Sequence, residues 1–127
     1  MRDYNKILLC LDLTDDSETI AVRAKSLAAA FGAELTLLHV VEYVPVEPMG
    51  EALLPAVQIE GELVERARLR IAELSAKLGL DHCERLVNTG NIKTEVVRIA
   101  QTRAIDLIVI GSRERHGVSI LFIFSED

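Results

Sequence analysis

The sequence predicts a doubly wound α/β fold, in which a mostly parallel sheet is flanked by helices. Short apolar runs alternate along the chain with longer stretches of helical periodicity, in the order βαβαβαβ. The apolar runs lack the alternation of a half-exposed strand, which indicates strands covered on both faces. Connections of about a dozen residues or more are long enough to join parallel strands by right-handed crossovers.

The first crossover unit is predicted near the amino terminus. A strand over residues 6–12 ends at the carboxylate of Asp12, and Thr14 or Asp15 is suited to cap the helix that follows. This helix has one apolar stripe and ends at Gly32, a typical helix terminator. The stripe consists of Ile20, Ala24, Leu27, Ala28 and Phe31.

Two further crossover units follow. A second strand is predicted over residues 34–41, and residues 42–55, which contain all three prolines, are predicted to form a loop. An amphipathic helix then runs from about residue 57 to a terminator at Gly79, followed by a third strand over residues 82–87. The apolar face of that helix consists of Leu63, Ala67, Ile71, Leu74 and Leu78.

The last unit is predicted to deliver a binding loop. After a turn at Gly90, a helix over residues 92–103 presents Val96, Val97 and Ala100 inward, and a fourth strand follows over residues 107–110. The strand is predicted to break at Gly111, where glycine permits a sharp turn or a close approach to a ligand. The loop beyond supplies donors suited to an anion such as phosphate, namely Ser112, Arg113 and Arg115.

These features predict a ligand crevice at the carboxyl ends of the strands, where ligands bind in open α/β sheets. If the first strand is central, Asp12 and the loop over residues 112–117 face one another across it. The carboxylate could accept hydrogen bonds from ribose hydroxyls or a base amine, and the loop could bind phosphates. The alternative is that Asp12 only begins a turn and the arginines are solvated.

Composition limits the classes of function. The 127 residues are 50% hydrophobic and 4% aromatic, which fits one domain, residues 1–127, with an aliphatic core. The formal net charge of −6 opposes a nucleic-acid partner, because binding to a phosphate backbone depends on clustered Lys and Arg. No apolar run approaches the roughly 20 residues of a membrane span, and no cleavage site is visible. A soluble cytoplasmic protein with no membrane partner is expected.

Few other side chains are candidates for chemistry. Cys10 and Cys83 lie in strand-like runs and are expected to be reduced core residues, and no spacing typical of a metal site is present. His39 and His82 are expected to be structural, which leaves His116 in the basic loop as the histidine to consider for function. The chain contains neither a G-x-S-x-G context nor a P-loop, so no nucleophilic or kinase mechanism is predicted.

Several segments together resemble the universal stress protein family. They are residues 7–14 (ILLCLDLT), 37–40 (LLHV), 106–113 (DLIVIGSR) and 115–117 (RHG), with Gly90 before a helix. The resemblance covers residues 4–117 in the family's order. It implies a Rossmann-like domain of the adenine nucleotide alpha hydrolase type. It also implies a cytoplasmic homodimer tied to stress survival, which in one branch binds ATP.

The resemblance also assigns site residues by position. Asp12 corresponds to the acidic residue at the adenosine site, Val40 to the residue whose backbone meets adenine, and Gly111 to the first glycine of the phosphate motif G-x-x-G-x(9)-G-[ST]. The second glycine falls on Glu114, whose carboxylate would repel a phosphate about 5 Å away by roughly 3 kcal/mol at an effective dielectric of about 20. The rest of the motif, with the family's final helix and strand, is missing.

We therefore expect a regulatory domain that is not an enzyme, with weak or absent ATP binding and Mg²⁺ bound only with ATP. The cofactor-binding residues would be Asp12, Val40, Gly111, Ser112, Arg113 and Arg115. A nucleotide-free dimeric interaction protein is one alternative. A slow ATPase, with Asp12 or His116 positioning water, is another.

The apolar tail, residues 118–124, is expected to cover the open edge of the fourth strand, since a bare strand edge promotes association. A hairpin within the chain would be long enough, but it would occupy the phosphate loop. Docking across a two-fold interface onto a partner subunit is therefore the favoured arrangement.

Overall fold

The computed structural model describes residues 4–14, 16–42, 53–114 and 117–124, with side chains for residues 4–14, 16–42 and 59–111. The elements in chain order are β1 (Lys6–Cys10), α1 (Ser17–Phe31), β2 (Glu34–Val41), α2 (Leu53–Leu78), β3 (Glu84–Thr89), α3 (Ile92–Thr102), β4 (Leu107–Glu114) and β5 (Gly117–Phe124). They form one sheet of order β3-β2-β1-β4-β5. The first four strands are parallel, which confirms the predicted doubly wound sheet, and β5 is antiparallel to β4.

The two faces of the sheet are covered by different helices. On one face, α1 and α2 pack over a core that includes Leu9, Leu37 and Val109. On the other face, α3 packs over Leu8 and Ile108. This arrangement follows from right-handed crossovers, because the chain moves from β1 through β2 to β3 in one direction and returns past β1 to β4. In the described part of the chain, no helix connects β4 to β5.

The helix faces were predicted better than the helix starts. The stripe of α1 is confirmed, with Ile20, Ala24 and Ala28 buried, and Gly32 ends the helix in the left-handed conformation at φ 63°. However, α1 begins at Ser17, and the Asp16 side chain makes no capping hydrogen bond. Thr14 therefore does not cap the helix as predicted, and Asp15 lies outside the described residues.

The long helix and the third strand differ from their predicted bounds. α2 begins at Leu53, so the predicted loop over residues 42–55 ends too late, and residues 43–52 lie outside the description. Pro55 fits in the first turn of α2, where its missing N–H removes no intrahelical bond. β3 runs over Glu84–Thr89, later than predicted. In α3 the third inward residue is Ile99, whereas Val97 is 46% exposed.

β4 extends past its predicted end at Ile110. β1 pairs with β4 only up to Cys10↔Ile110, but β5 pairs along the whole of β4, from Leu107↔Phe124 to Glu114↔Gly117. Residues 111–113 therefore lie in a strand, and the predicted break into a loop at Gly111 is wrong. The antiparallel partner supplies hydrogen bonds to the backbone beyond Ile110, so the strand can continue without apolar residues.

The position of the tail also differs from the favoured expectation. Gly117–Phe124 pairs with β4 of its own chain rather than with a partner subunit. Only residues 115–116 separate the two strands in sequence, and two residues are enough for a hairpin connection. The tail covers the edge of β4, as expected, but through an intrachain hairpin.

Asp106 joins the amino ends of β1 and β4, and its removal should destabilise the fold. Its Oδ2 accepts hydrogen bonds from the amides of Asn5 (2.8 Å) and Lys6 (2.9 Å). We expect Asp106→Ala to lower the free energy of unfolding by about 1–2 kcal/mol, because two amides lose their acceptor. Chemical denaturation measures this. Asp81→Ala is the matched control, since the exposed Asp81 side chain has no hydrogen bond to a described residue; equal losses in both variants would contradict the prediction.

Candidate functional site

A cavity of about 260 Å³ lies at the carboxyl ends of β1, β2 and β4. It is at the point where the strand order reverses, since β2 lies on one side of β1 and β4 on the other. Asp12, Val40 and Gly111, all predicted as site residues, line this cavity. The other lining residues are Cys10, Leu11, Leu38, His39, Ile92, Val96 and Ile110.

The other predicted site residues belong to the segment over residues 112–116. Ser112 and Arg113 lie in β4 opposite Ser119 and Val118, and their side chains are outside the description. Arg115 and His116 lie outside the described residues altogether. The role of this segment in phosphate binding therefore stays a prediction.

Gly111 is required by packing against a helix and not by a turn. Gly111 does not have a positive φ, and the strand pairing between β4 and β5 continues through it. A Cβ at this position would lie 1.7 Å from Cδ1 and 2.7 Å from Cγ1 of Ile20. Ile20 belongs to α1 and is 3% exposed. The glycine thus lets α1 approach β4 closely beside the cavity.

Asp12 is oriented by one carboxylate oxygen. Oδ1 accepts hydrogen bonds from the Thr14 amide (3.0 Å), the Thr14 hydroxyl (2.7 Å) and the Ser17 hydroxyl (3.1 Å). No described residue donates a hydrogen bond to Oδ2. Burial raises the pKa of Asp12, but the hydrogen bonds from Thr14 and Ser17 outweigh burial and hold the pKa below its ordinary value of 3.8. Asp12 is therefore ionised at neutral pH, with one oxygen available to a ligand.

The backbone of Val40 also points into the crevice. The Leu38 carbonyl accepts a hydrogen bond from the Leu11 amide at 2.8 Å, so the backbone groups of Leu38 face β1. Because the orientation repeats every second residue, the amide and carbonyl of Val40 face the same side. The paired register of β1 and β2 ends at Cys10↔Leu38, so these groups lie beyond the last strand pair.

The apolar part of the cavity was not predicted as a site. Ile92 and Val96 come from the first turns of α3, and sequence periodicity assigned that helix to packing alone. A signal was present in the turn before it. Asn91 caps α3 by accepting a hydrogen bond from the Thr94 amide at 3.0 Å, directly after β3 ends. A helix that begins at a strand's carboxyl end brings its first apolar side chains to the crevice.

The surroundings of both cysteines and of two histidines are defined in the structure. Cys10 and Cys83 are free thiols, as predicted, and burial raises the pKa of Cys10 to about 12, which disfavours its reactive thiolate. His39 has a structural contact, with Nδ1 at 2.7 Å from the Leu11 carbonyl oxygen. His82 Nε2 lies 3.6 Å from the sulfur of Cys83.

Two features of the described residues bear on metal and membrane binding. They contain no group of three or more His, Cys, Asp or Glu side chains placed to hold a metal ion. None of the helices in this part of the chain combines the length and apolarity that crossing a membrane requires.

Comparison with known proteins shows the family of this chain. The model of the universal stress protein family matches residues 3–126. Universal stress protein A homolog 2 of Coxiella burnetii is 33% identical over 122 residues, which are 95% of this chain and 84% of that relative.

Solved structures share the fold. Universal stress protein UspA from Lactobacillus plantarum superposes with a TM-score of 0.67 at 20% identity, over 91% of this chain and 84% of that one. A universal stress protein in complex with cAMP gives a TM-score of 0.52 at 19% identity, over 84% of this chain and 71% of that one. The sequence matches and the shared fold lead to one conclusion: this chain belongs to the universal stress protein family.

Proposed function

We propose that the protein is a regulatory domain of the stress response that binds an adenine nucleotide in the crevice between β1, β2 and β4. The observation that supports this most directly is Asp12 at an apolar cavity, with Oδ1 held by three hydrogen bonds and Oδ2 without a donor from the described residues. Family membership supports the role in the stress response.

The proposed base site combines apolar walls with backbone groups. Ile92, Val96 and Ile110 provide apolar surface on which a flat ring can pack. The amide and carbonyl of Val40 present a donor and an acceptor side by side. An adenine edge offers the complementary pair, a ring nitrogen that accepts and an amino group that donates.

The proposed ribose site is the free oxygen of Asp12. A ribose diol carries hydroxyl donors, and hydrogen bonds to an ionised carboxylate are stronger than those between neutral groups. The low pKa of Asp12 keeps this acceptor ionised at neutral pH. Because ATP and cAMP share adenine and a ribose with a free 2′-hydroxyl, the universal stress protein solved in complex with cAMP supports a site for adenine and ribose in this fold.

The phosphate part of the proposal rests on Ser112, Arg113 and Arg115, with Mg²⁺ bound only together with ATP. The proposed ligand is ATP held chiefly through its adenosine moiety, with weak phosphate contacts because Glu114 replaces a glycine of the motif. We propose that the domain has no enzymatic activity. We further propose that the domain acts in the cytoplasm as a homodimer, without a nucleic-acid or membrane partner.

Calorimetric titration with ATP and Mg²⁺ tests the proposal. We expect measurable binding, weakened about tenfold or more in Asp12→Ala and Asp12→Asn, since a hydrogen bond to a charged group is lost. The asparagine variant is the sharper one, because it keeps Oδ1 as an acceptor for Thr14 and Ser17 while replacing Oδ2 by a donor. Asp81→Ala should bind as the unmodified protein does. Folded protein that gives no heat at millimolar ATP would refute the proposal.

A further inference from the structure

The peptide carbonyls on both sides of Asp12 are held by side chains from other elements. Nδ1 of His39, in β2, lies 2.7 Å from the carbonyl oxygen of Leu11. Nη2 of Arg70, in α2, lies 2.6 Å from the carbonyl oxygen of Leu13. A carbonyl oxygen can only accept, so both nitrogens donate. The backbone that carries Asp12 is therefore fixed on one side by β2 and on the other by α2.

The backbone at Leu13 needs such support. Its φ is 58°, in the left-handed region that a bulky L side chain rarely adopts. A conformation of this kind persists only where the surroundings hold it. Two contacts hold Leu13. Its side chain is only 7% exposed and packs in the core formed with α1 and α2, and its carbonyl accepts the hydrogen bond from Arg70.

The turn at Leu13 decides where the carboxylate of Asp12 points. It brings the Thr14 amide to 3.0 Å and the Ser17 hydroxyl to 3.1 Å of Oδ1, which leaves Oδ2 without a described donor. If the carbonyl of Leu13 were released, the residue could relax toward a common backbone conformation. The Thr14 amide would then move relative to Oδ1, and Oδ2 would lose its fixed direction.

We infer that Arg70 and His39 are positioning residues, which set the affinity of the crevice for a nucleoside by fixing the Asp12 carboxylate. The inference rests on the proposed function for its ligand, but its structural part stands on the contacts of the free protein. Arg70 also ties the position of α2 to the ligand crevice. His39 lines the cavity whereas Arg70 does not, so Arg70 is the residue that tests positioning without a direct contact to the nucleoside.

The binding test uses adenosine, because an uncharged ligand separates positioning from attraction between an arginine and phosphates. Arg70→Met keeps the aliphatic stem and removes the donor, and we expect it to weaken adenosine binding about tenfold. Arg66→Met, four residues earlier on the same helix at an exposed side chain, should bind as the unmodified protein does. Arg70→Lys, which restores a charged donor, should recover part of the loss.

His39 is tested in the same way. His39→Leu removes the donor to the Leu11 carbonyl, whereas His39→Asn places an amide N–H near the position of Nδ1. We expect the leucine variant to bind adenosine more weakly and the asparagine variant to recover part of the affinity. Loss without any recovery in both conservative variants would indicate a merely structural role and overturn the inference.

A second readout needs no ligand. The Thr14 amide donates to Oδ1 of Asp12, so its NMR chemical shift and solvent exchange report the geometry of the turn. We expect both to change in Arg70→Met and not in Arg66→Met. An unchanged Thr14 amide would overturn positioning, as would a changed amide with unchanged adenosine affinity. If the unmodified protein binds no adenosine while the amide still responds, the proposed function fails and the positioning of Asp12 is upheld.

Discussion

Deletion of residues 117–127 is expected to give a protein that aggregates or unfolds at a much lower temperature. The deletion removes every pair between β4 and β5, from Leu107↔Phe124 to Glu114↔Gly117. One side of β4 would then present unpaired amides and carbonyls along its length, and a bare strand edge promotes association with other chains. The buried residues Leu107, Ile108 and Val109 lie in that strand. Light scattering after gel filtration and thermal unfolding measure the two outcomes.

The control is a shorter deletion of residues 125–127, which leaves all pairs of the β4–β5 ladder in place. This variant should behave as the full chain does. Dilution separates an intrachain hairpin from a strand exchanged between subunits, because only the second makes the melting temperature depend on protein concentration through this pairing. A deletion variant lacking residues 117–127 that stays monodisperse with an unchanged melting temperature would contradict the predicted role of β5.

The parts of the fold that sequence predicted are those encoded by local periodicity. The stripe of α1 through Ile20 and Ala24 is buried as predicted, and so are Ala67 and Ile71 of α2. The glycine that ends α1 was also predicted, since Gly32 follows the helix with a left-handed φ of 63°. Period and helix ends together define the crossovers, and their right-handedness determines which face of the sheet each helix covers once the strand order is known.

The parts that sequence did not predict depend on partners distant in the chain. β4 continues through Gly111 because β5 lies beside it, and the polar run after Ile110 gave no sign of that pairing. The sequence allowed a hairpin through residues 112–117, but it favoured docking onto a partner subunit because the hairpin would occupy the proposed phosphate loop. The composition of such a segment can be read from the sequence, but its conformation depends on the strand that lies beside it.

The same distinction applies to the residues of the candidate site. Asp12 could be located because a strand's carboxyl end can be read from its apolar run, whereas Val40 was assigned only by the resemblance to the family. The supports of Asp12 could not be predicted, since Arg70 reaches the Leu13 carbonyl from a residue 57 positions away in sequence. No local pattern predicts that an exposed arginine of an amphipathic helix hydrogen-bonds to a distant backbone carbonyl.

Gly111→Ala is expected to destabilise the fold by about 1–3 kcal/mol, the usual range for overpacking a filled core. The added Cβ would lie 1.7 Å from Cδ1 of Ile20, which no real contact permits. Cδ1 ends a flexible side chain, but Ile20 is 3% exposed, so it has little room to turn away. Either α1 moves off β4 or Ile20 adopts an unfavourable rotamer.

Gly61→Ala is the matched control, because a Cβ at Gly61 meets nothing within 4 Å. Gly61 lies in α2, so the same substitution should stabilise the protein by about 0.5–1 kcal/mol through helix propensity. Ile20→Val, which deletes Cδ1, should cost about 0.5–1.5 kcal/mol alone. Combined with Gly111→Ala it should cost less than the sum of the two single variants, because the clashing methyl is absent. Additive losses, measured by chemical denaturation, would show that contact between α1 and β4 is not what excludes a side chain at Gly111.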